Sequence, residues 1–299
     1  MTQRPDAGYP ELPEGFTDGE PPRGIGTQRL AVLGDPVGHS RSPQLHLAAY
    51  RALGRRWEYS RWRIPAGQLA AQLGARGQGW RGLSVTAPLK AEALAFAGEV
   101  SEDARRSGAV NALVFDSLEP GAAARGFNTD IPGIVLAFAE RGLARLDGVA
   151  HVLGAGETAA SVAIAAQRLG AERVEVYARR PERAAALAER LGAGVTGHDL
   201  SEWRIRPDTA LVGDTIPGGY APAADPGDPG ATALLAAAYD PWPTPLAARW
   251  QAAGAPIVTG LDMLLHQGVL QVRLFGGNAI DEPVPNEPEV VEAMRAALS

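Results

Sequence analysis

An apolar run, Val149 to Leu153, leads directly into Gly154-Ala155-Gly156-Glu157-Thr158-Ala159 and then into an Ala-rich stretch reaching Leu169. The run reads as a buried strand and the stretch as a helix, so the glycines sit in a strand-to-helix turn. Gly154 permits the tight turn, Gly156 lets backbone approach a pyrophosphate, and the small Ala159 packs helix against strand. The first N–H groups of the helix would then face phosphate. A plain structural turn is the competing reading, because the whole chain is rich in Ala and Gly. Either way the segment asks for a parallel sheet with crossover helices.

The neighbouring segments repeat the alternation. Arg173 to Tyr177, Ala210 to Val212, Leu234 to Tyr239 and Ile257 to Thr259 read as further strands. Helices are predicted over 157–169, 182–191 and 244–253. A site for an unphosphorylated ribose would place a carboxylate about 20 residues beyond the first glycine. Here the strand ends at Ala178 and is followed by Arg179 and Arg180. Two guanidiniums suit a ribose 2′-phosphate through forked hydrogen bonds; two solvated surface arginines are the alternative. Glu157 favours a helix start but repels a pyrophosphate unless it points away.

The amino-terminal part also alternates. Strands are predicted at Leu30–Leu33, Trp57–Ile64, Leu83–Thr86 and Ala109–Phe115. Ser42-Pro43 reads as a helix start, with the serine hydroxyl as cap and the proline in the first turn. Ser40 and Ser42 together could instead hold a carboxylate. Gly38-His39-Ser40-Arg41-Ser42 departs from a serine-hydrolase elbow in its last position. Arg51, Arg55, Arg56, Arg61 and Arg63 form a basic stretch with Trp57, Tyr59 and Trp62, expected to be a solvated face. After Asp130 a helix should run to Arg141, with Pro132 in its first turn. Leu261 to Phe275 and Glu287 to Leu298 read as two closing helices.

Composition sets limits. The 299 residues suit about two domains. A formal net charge of −6 speaks against a nucleic-acid binder. The sequence has no cysteine, hence no disulfide and no thiolate metal site. The five histidines lack ligand spacing, so no metal is expected. No apolar run approaches the ~20 residues needed to cross a bilayer, and a cytoplasmic protein is expected. Residues 1–26, rich in Pro and acids, read as a flexible tail. Of 28 basic residues only Lys90 is lysine. In an arginine-biased chain, a site needing a titratable amine cannot accept guanidinium. A leftover surface lysine is the other reading.

GDPVGHSRSPQLH (34–46), GLSVTAPLK (82–90), GAVN (108–111), GFNTDIPG (126–133), DPWPTPL (240–246) and GLDMLLHQ (260–267) follow in order. In these motifs and their spacing the chain resembles the shikimate dehydrogenase family over roughly residues 28–298. The resemblance implies two α/β domains with a cleft between them. Residues 27–129 would bind substrate, 130–261 would form a Rossmann domain for NADP(H), and 262–299 would return as helices to the substrate domain. It implies reversible reduction of 3-dehydroshikimate to shikimate, in aromatic amino-acid biosynthesis, by a monomer or homodimer. Lys90 would be the catalytic acid/base with Asp130 as partner. Ser40, Ser42 and Tyr239 would hold the substrate carboxylate; Thr86, Asn111, Asp130 and Gln267 the ring hydroxyls. Gly154, Ala155, Gly156, Ala159, Arg179 and Arg180 would bind the dinucleotide, with Met263 near the nicotinamide. Three departures stand out: Ser84 for a common asparagine, Glu157 for a glycine, and Ala178-Arg179-Arg180 where asparagine and threonine commonly flank the arginine. A quinate or quinate/shikimate dehydrogenase and a non-catalytic ligand sensor on the same fold are the rival expectations.

Overall fold

A computed structural model describes residues 28–299; the tail expected over residues 1–26 lies outside the described residues. The first part of the chain contains β1 (Arg29–Gly34), α1 (Ser42–Ala52), β2 (Glu58–Arg63), α2 (Leu69–Gly74) and β3 (Trp80–Val85). It continues through α3 (Lys90–Phe96), β4 (Glu99–Val100), α4 (Glu102–Ser107), β5 (Ala112–Phe115) and β6 (Ala124–Phe127). Next come α5 (Asp130–Glu140), β7 (Val149–Leu153), α6 (Glu157–Arg168), β8 (Arg173–Ala178), α7 (Pro181–Leu191) and β9 (Val195–Asp199). The chain closes with β10 (Thr209–Asp214), β11 (Ala233–Ala236), α8 (Pro245–Ala253), β12 (Ile257–Thr259), α9 (Gly260–Gly276) and α10 (Glu287–Ala296).

These strands form two six-stranded sheets, β2-β1-β3-β5-β6-β4 and β12-β11-β10-β7-β8-β9. The second is parallel throughout. Its order reverses between β7 and β10, the doubly wound arrangement that opens a crevice at the strand ends. The first sheet departs from the expected parallel pairing. β3–β5 and β5–β6 are antiparallel: after β3 the chain passes through α3, β4 and α4 and runs back as β5, and the loop 116–123 turns β5 directly into β6. β4, α4, β6 and β9 were not foreseen; each is short and carries few of the apolar residues that mark a period.

Both faces of both sheets are covered. In β1, Leu30 and Val32 enter the core under α1, α9 and α10, while Ala31 and Leu33 enter the opposite one. This is the alternation a strand imposes. In the second sheet Val152 and Val176 pack with α5 and α6, and Leu153 and Tyr177 pack with Trp203 and Trp250. Helix α9 joins the two parts. Met263 near its start belongs to the core of the second sheet, while Leu265, Val269, Val272 and Phe275 belong to that of the first. A Cβ on Gly133 of α5 would fall 2.8 Å from the Gln267 nitrogen, so α5 and α9 are in backbone contact here.

Two histidines are sealed in these cores. His46 of α1 stacks on Tyr59 at 4.3 Å, and burial holds its pKa at about 3, partly offset by a hydrogen bond to Gln271. His151 of β7 is held at about 4, first by burial and then by Arg206. Unfolded, both titrate near 6.5. As pH falls below that value the unfolded chain takes up protons that the folded chain refuses. Stability is therefore full above pH 6.5 and declines toward pH 4, by up to about 1.4 kcal/mol per pH unit for each histidine. Urea melts between pH 7.5 and 4.5 should show this fall, with a shallower slope in His151→Gln. A stability that stays flat from pH 7 to pH 5 would show that the folded protein accepts these protons.

Candidate active site

Lys90 and Asp130 stand at the starts of α3 and α5, and each is fixed by its neighbours. The Lys90 carbonyl accepts from the Val110 N–H at 3.0 Å, tying the helix start to the segment that leads into β5. Asn128 Oδ1 accepts from the N–H groups of Asp130 at 3.0 Å and Ile131 at 3.2 Å, capping α5. Lys90 Nζ donates to Asp130 Oδ2 at 2.6 Å, and Asn111 Nδ2 donates to Asp130 Oδ1 at 2.7 Å. Asn111 is itself held by the Thr129 N–H, which donates to its Oδ1 at 2.7 Å. Lys90 is 7% exposed and Asp130 4%. A surface lysine is thereby ruled out. A buried ion pair is retained at a desolvation cost that packing alone does not require.

The pair opens on a cavity of about 260 Å³ between the two sheets. Ser40, Ser42, Thr86, Lys90, Asn111, Asp130, Tyr239, Met263 and Gln267 all line it, so the sequence motifs converge in space. Two local expectations need correction. Ser42 is not the cap of α1: Arg41 occupies that position without a side-chain hydrogen bond, and Ser42 is the first helical residue. Its N–H lies 3.3 Å from the Ser40 hydroxyl, which accepts from it. Arg61 is not solvated but 4% exposed. It donates to the Ser40 carbonyl from Nε at 3.1 Å and Nη2 at 2.7 Å. That clamp fixes the loop carrying both serines.

Tyr239 reaches the cavity because β11 stops at Ala236, earlier than expected, and the chain leaves the sheet. Burial raises the Tyr239 phenol, the Arg41 backbone and the Arg41 and Arg61 charges partly opposing, so it remains a neutral donor at neutral pH.

A second cavity of about 300 Å³ is lined by Gly154, Ala155, Gly156, Glu157, Ala159, Ala178, Arg179 and Arg180. Thr158, Thr215, Ile216 and Pro217 line both cavities, so the two adjoin. Gly154 has φ +110°, and a Cβ there would strike Thr215 Oγ1. A Cβ on Gly156 would meet nothing within 4 Å, so this position is open for a ligand's approach. Ala159 is fully buried, as its packing role demands. Sequence reasoning missed three contributors. Arg183 joins Arg179 and Arg180 around the cavity, one turn along α7 from Arg180. Asp214 accepts from the N–H groups of Ile216 at 3.2 Å and Tyr220 at 2.8 Å, shaping the loop at the junction. Burial holds its carboxyl above the ordinary range, those two bonds opposing. Arg190 is close enough to Glu157 to feel its charge.

Comparison with known proteins agrees with this geometry. Residues 32–113 match the family model for the shikimate dehydrogenase substrate-binding domain, and residues 150–213 that for NADP oxidoreductases, coenzyme F420-dependent. The chain is 38% identical over 274 residues to a shikimate dehydrogenase (NADP(+)) of Thermus thermophilus, covering 90% of this chain and 98% of the relative. A crystal structure of a Thermus thermophilus shikimate 5-dehydrogenase, in complex with NADP(H) and shikimate, superposes with a TM-score of 0.75 at 35% identity, covering 91% of this chain and 100% of that one. The Mycobacterium tuberculosis enzyme gives 0.73 at 40% identity, covering 91% and 98%. With the motifs gathered around one cleft and a relative matched over nearly its whole length, the chain belongs to the shikimate dehydrogenase family.

Proposed function

We propose that this protein catalyses the reversible NADPH-dependent reduction of 3-dehydroshikimate to shikimate. The observation that carries the reading is the buried Lys90–Asp130 pair, at 2.6 Å, lining a cavity that adjoins the glycine-turn cavity. Residues 27–129 and 262–299 are taken as the substrate-binding unit and 130–261 as the cofactor-binding unit. The residues around the second cavity fit NADP(H): an open Gly156 for the pyrophosphate, and the Arg179, Arg180 and Arg183 guanidiniums for a 2′-phosphate. When bound there, the cofactor supplies hydride to the ketone carbon.

The chain's own residues do the rest. Charge develops on the ketone oxygen during reduction, and the Lys90 ammonium both stabilises it and gives it a proton. In the reverse direction the amine takes that proton back. Asp130 orients the lysine and keeps a cation in a buried site. Asn111 spends its amide on Asp130 and Thr129, which makes it a positioning residue. Ser40, Ser42 and Tyr239 offer hydroxyl donors for the substrate carboxylate. Thr86 and Gln267 face the ring, and Met263, on the wall of the first cavity, lies near the nicotinamide.

Lys90→Ala and Lys90→Arg should each lower kcat by ~10²-fold or more while the chain still folds, the range for a lost acid–base group. Near-normal turnover by either variant, measured by NADPH formation from shikimate, would overturn the assignment. The same assay on the unmodified protein separates an enzyme from a ligand sensor. Faster turnover of quinate with NAD than of shikimate with NADP would replace the substrate.

Replacing Arg179 and Arg180 together by alanine should raise KM for NADPH by tenfold or more, of the order of two lost charge-assisted hydrogen bonds, and leave KM for NADH nearly unchanged. Equal losses for both cofactors would argue against 2′-phosphate recognition.

A further inference from the structure

Behind the cavity lies a second polar layer that contains no charge. At its centre is Gln271, one turn beyond Gln267 on α9, 1% exposed but lining the cavity. Its Nε2 lies 2.8 Å from Gln267 Oε1 and 3.1 Å from the Asn111 carbonyl oxygen. Both of these partners only accept. Gln267 is itself oriented by donating from Nε2 to the Leu264 carbonyl at 2.9 Å. The amide direction of Gln271 is therefore fixed, and its Oε1 must accept from everything it touches.

Two groups touch it: Ser84 Oγ at 2.5 Å and His46 Nε2 at 3.2 Å. His46 is neutral, so a proton on Nε2 leaves Nδ1 bare, and Tyr50 donates to it at 3.1 Å. Ser84 has one proton, which goes to Gln271. The Tyr59 phenol, 2.6 Å away, must then donate to Ser84. One lone pair of Ser84 is left, and no proton. At Gln267 the position is reversed: its oxygen accepts from Gln271, its other lone pair faces Asn111 Nδ2 at 3.4 Å and Thr129 Oγ1 at 3.5 Å, and one N–H remains.

We infer that Gln271 is a specificity-determining positioning residue that sets the hydrogen-bond polarity of the cavity wall. Ser84 meets the substrate only as an acceptor and Gln267 only as a donor. A ring hydroxyl beside Ser84 must donate, and one beside Gln267 must accept. An analogue lacking the donating hydroxyl leaves Ser84 without a partner. Gln271 acts through Ser84 and Gln267, without touching the reacting atoms or the cofactor cavity.

This inference rests on the proposed shikimate reaction. The test is steady-state kinetics of Gln271→Met, which keeps the volume and removes both halves of the amide, together with Ser84→Ala and the double variant. Gln271→Met should raise KM for shikimate by about tenfold, the effect of losing about one hydrogen bond to a fixed partner. Its kcat should fall less than threefold and KM for NADP+ should move less than twofold. Ser84→Ala should raise KM for shikimate similarly, and the double variant should cost less than the product of the two single effects. An unchanged KM in a folded Gln271→Met variant, or a fall in kcat at constant KM, would overturn the inference. So would fully multiplicative effects in the double variant. If Gln271→Met does not fold, an unchanged KM in Ser84→Ala overturns it alone. Failure of the underlying reading looks different, because the unmodified protein would then not oxidise shikimate at all.

Discussion

A cationic amine kept out of water is the constraint on which this site depends. Moving an ammonium ion into a protein interior costs several kcal/mol even after relaxation, and only a close counter-charge with satisfied hydrogen bonds offsets it. Asp130 supplies that charge at 2.6 Å, and Asn111 fixes the other carboxylate oxygen. Each of the three residues lies at a junction of elements: the start of α3, the start of α5, and the residue before β5. Shifts of any of these junctions by an ångström would leave a buried charge unpaired. The antiparallel excursion of the first sheet through β5 and β6 serves this geometry, since it brings Asn111 and the Asn128–Asp130 segment side by side. Their contact is visible in the Asn111 N–H donated to the Phe127 carbonyl at 2.9 Å.

The second requirement is that the two sheets present their open ends to one another. Helix α9 secures this because it is part of both cores. Its start is fixed by Thr259 and Asp262, each accepting from the other's backbone N–H. Arg141 grips Asp262 at 2.9 Å from the end of α5. Asp103 of α4 forms an ion pair with Arg168 of α6, and Arg106 donates to Gln167 at 2.5 Å. Exposed pairs of this kind contribute little individually. Here they flank an apolar junction of α5, α6 and α9 that carries the packing. The cavity is therefore bounded by rigid elements on both sides, which suits a reaction that depends on holding a ketone at a fixed distance from a hydride donor.

Much of this was legible in the sequence, for identifiable reasons. The second sheet is buried on both faces, so its strands are apolar runs and its turn carries the glycines that a phosphate requires. Lys90 is conspicuous as the one lysine among 28 basic residues, and the motifs around it are contiguous in sequence. What escaped notice depends on contacts across long separations. Arg61 belonged to a run of arginines that looked solvated, and only the fold shows its guanidinium on the Ser40 carbonyl. Gln271 and Tyr59 sit at ordinary helical and strand positions, and nothing in either segment marks a polar side chain that will face Ser84. Asp214 reads as a strand-end carboxylate until the loop at 215–220 folds over it. Short elements such as β4 and β9 carry too few apolar residues to show a period.

The two polar layers meet at Asn111, and their separation follows from its chemistry. Its side chain serves the charged pair through Asp130, while its main-chain carbonyl accepts from Gln271 in the neutral layer. An amide side chain has both a donor and an acceptor, so it can be satisfied by a carboxylate on one side and a backbone N–H on the other without carrying charge. In the proposed reaction the moving proton passes between Lys90 and the substrate oxygen. His46, whose ring could otherwise compete for it, is held neutral behind Gln271. On that proposal recognition and proton transfer share one residue, Asn111, for their alignment but exchange no charge, so the wall beside the ring would keep its hydrogen-bond directions whichever way the reaction ran.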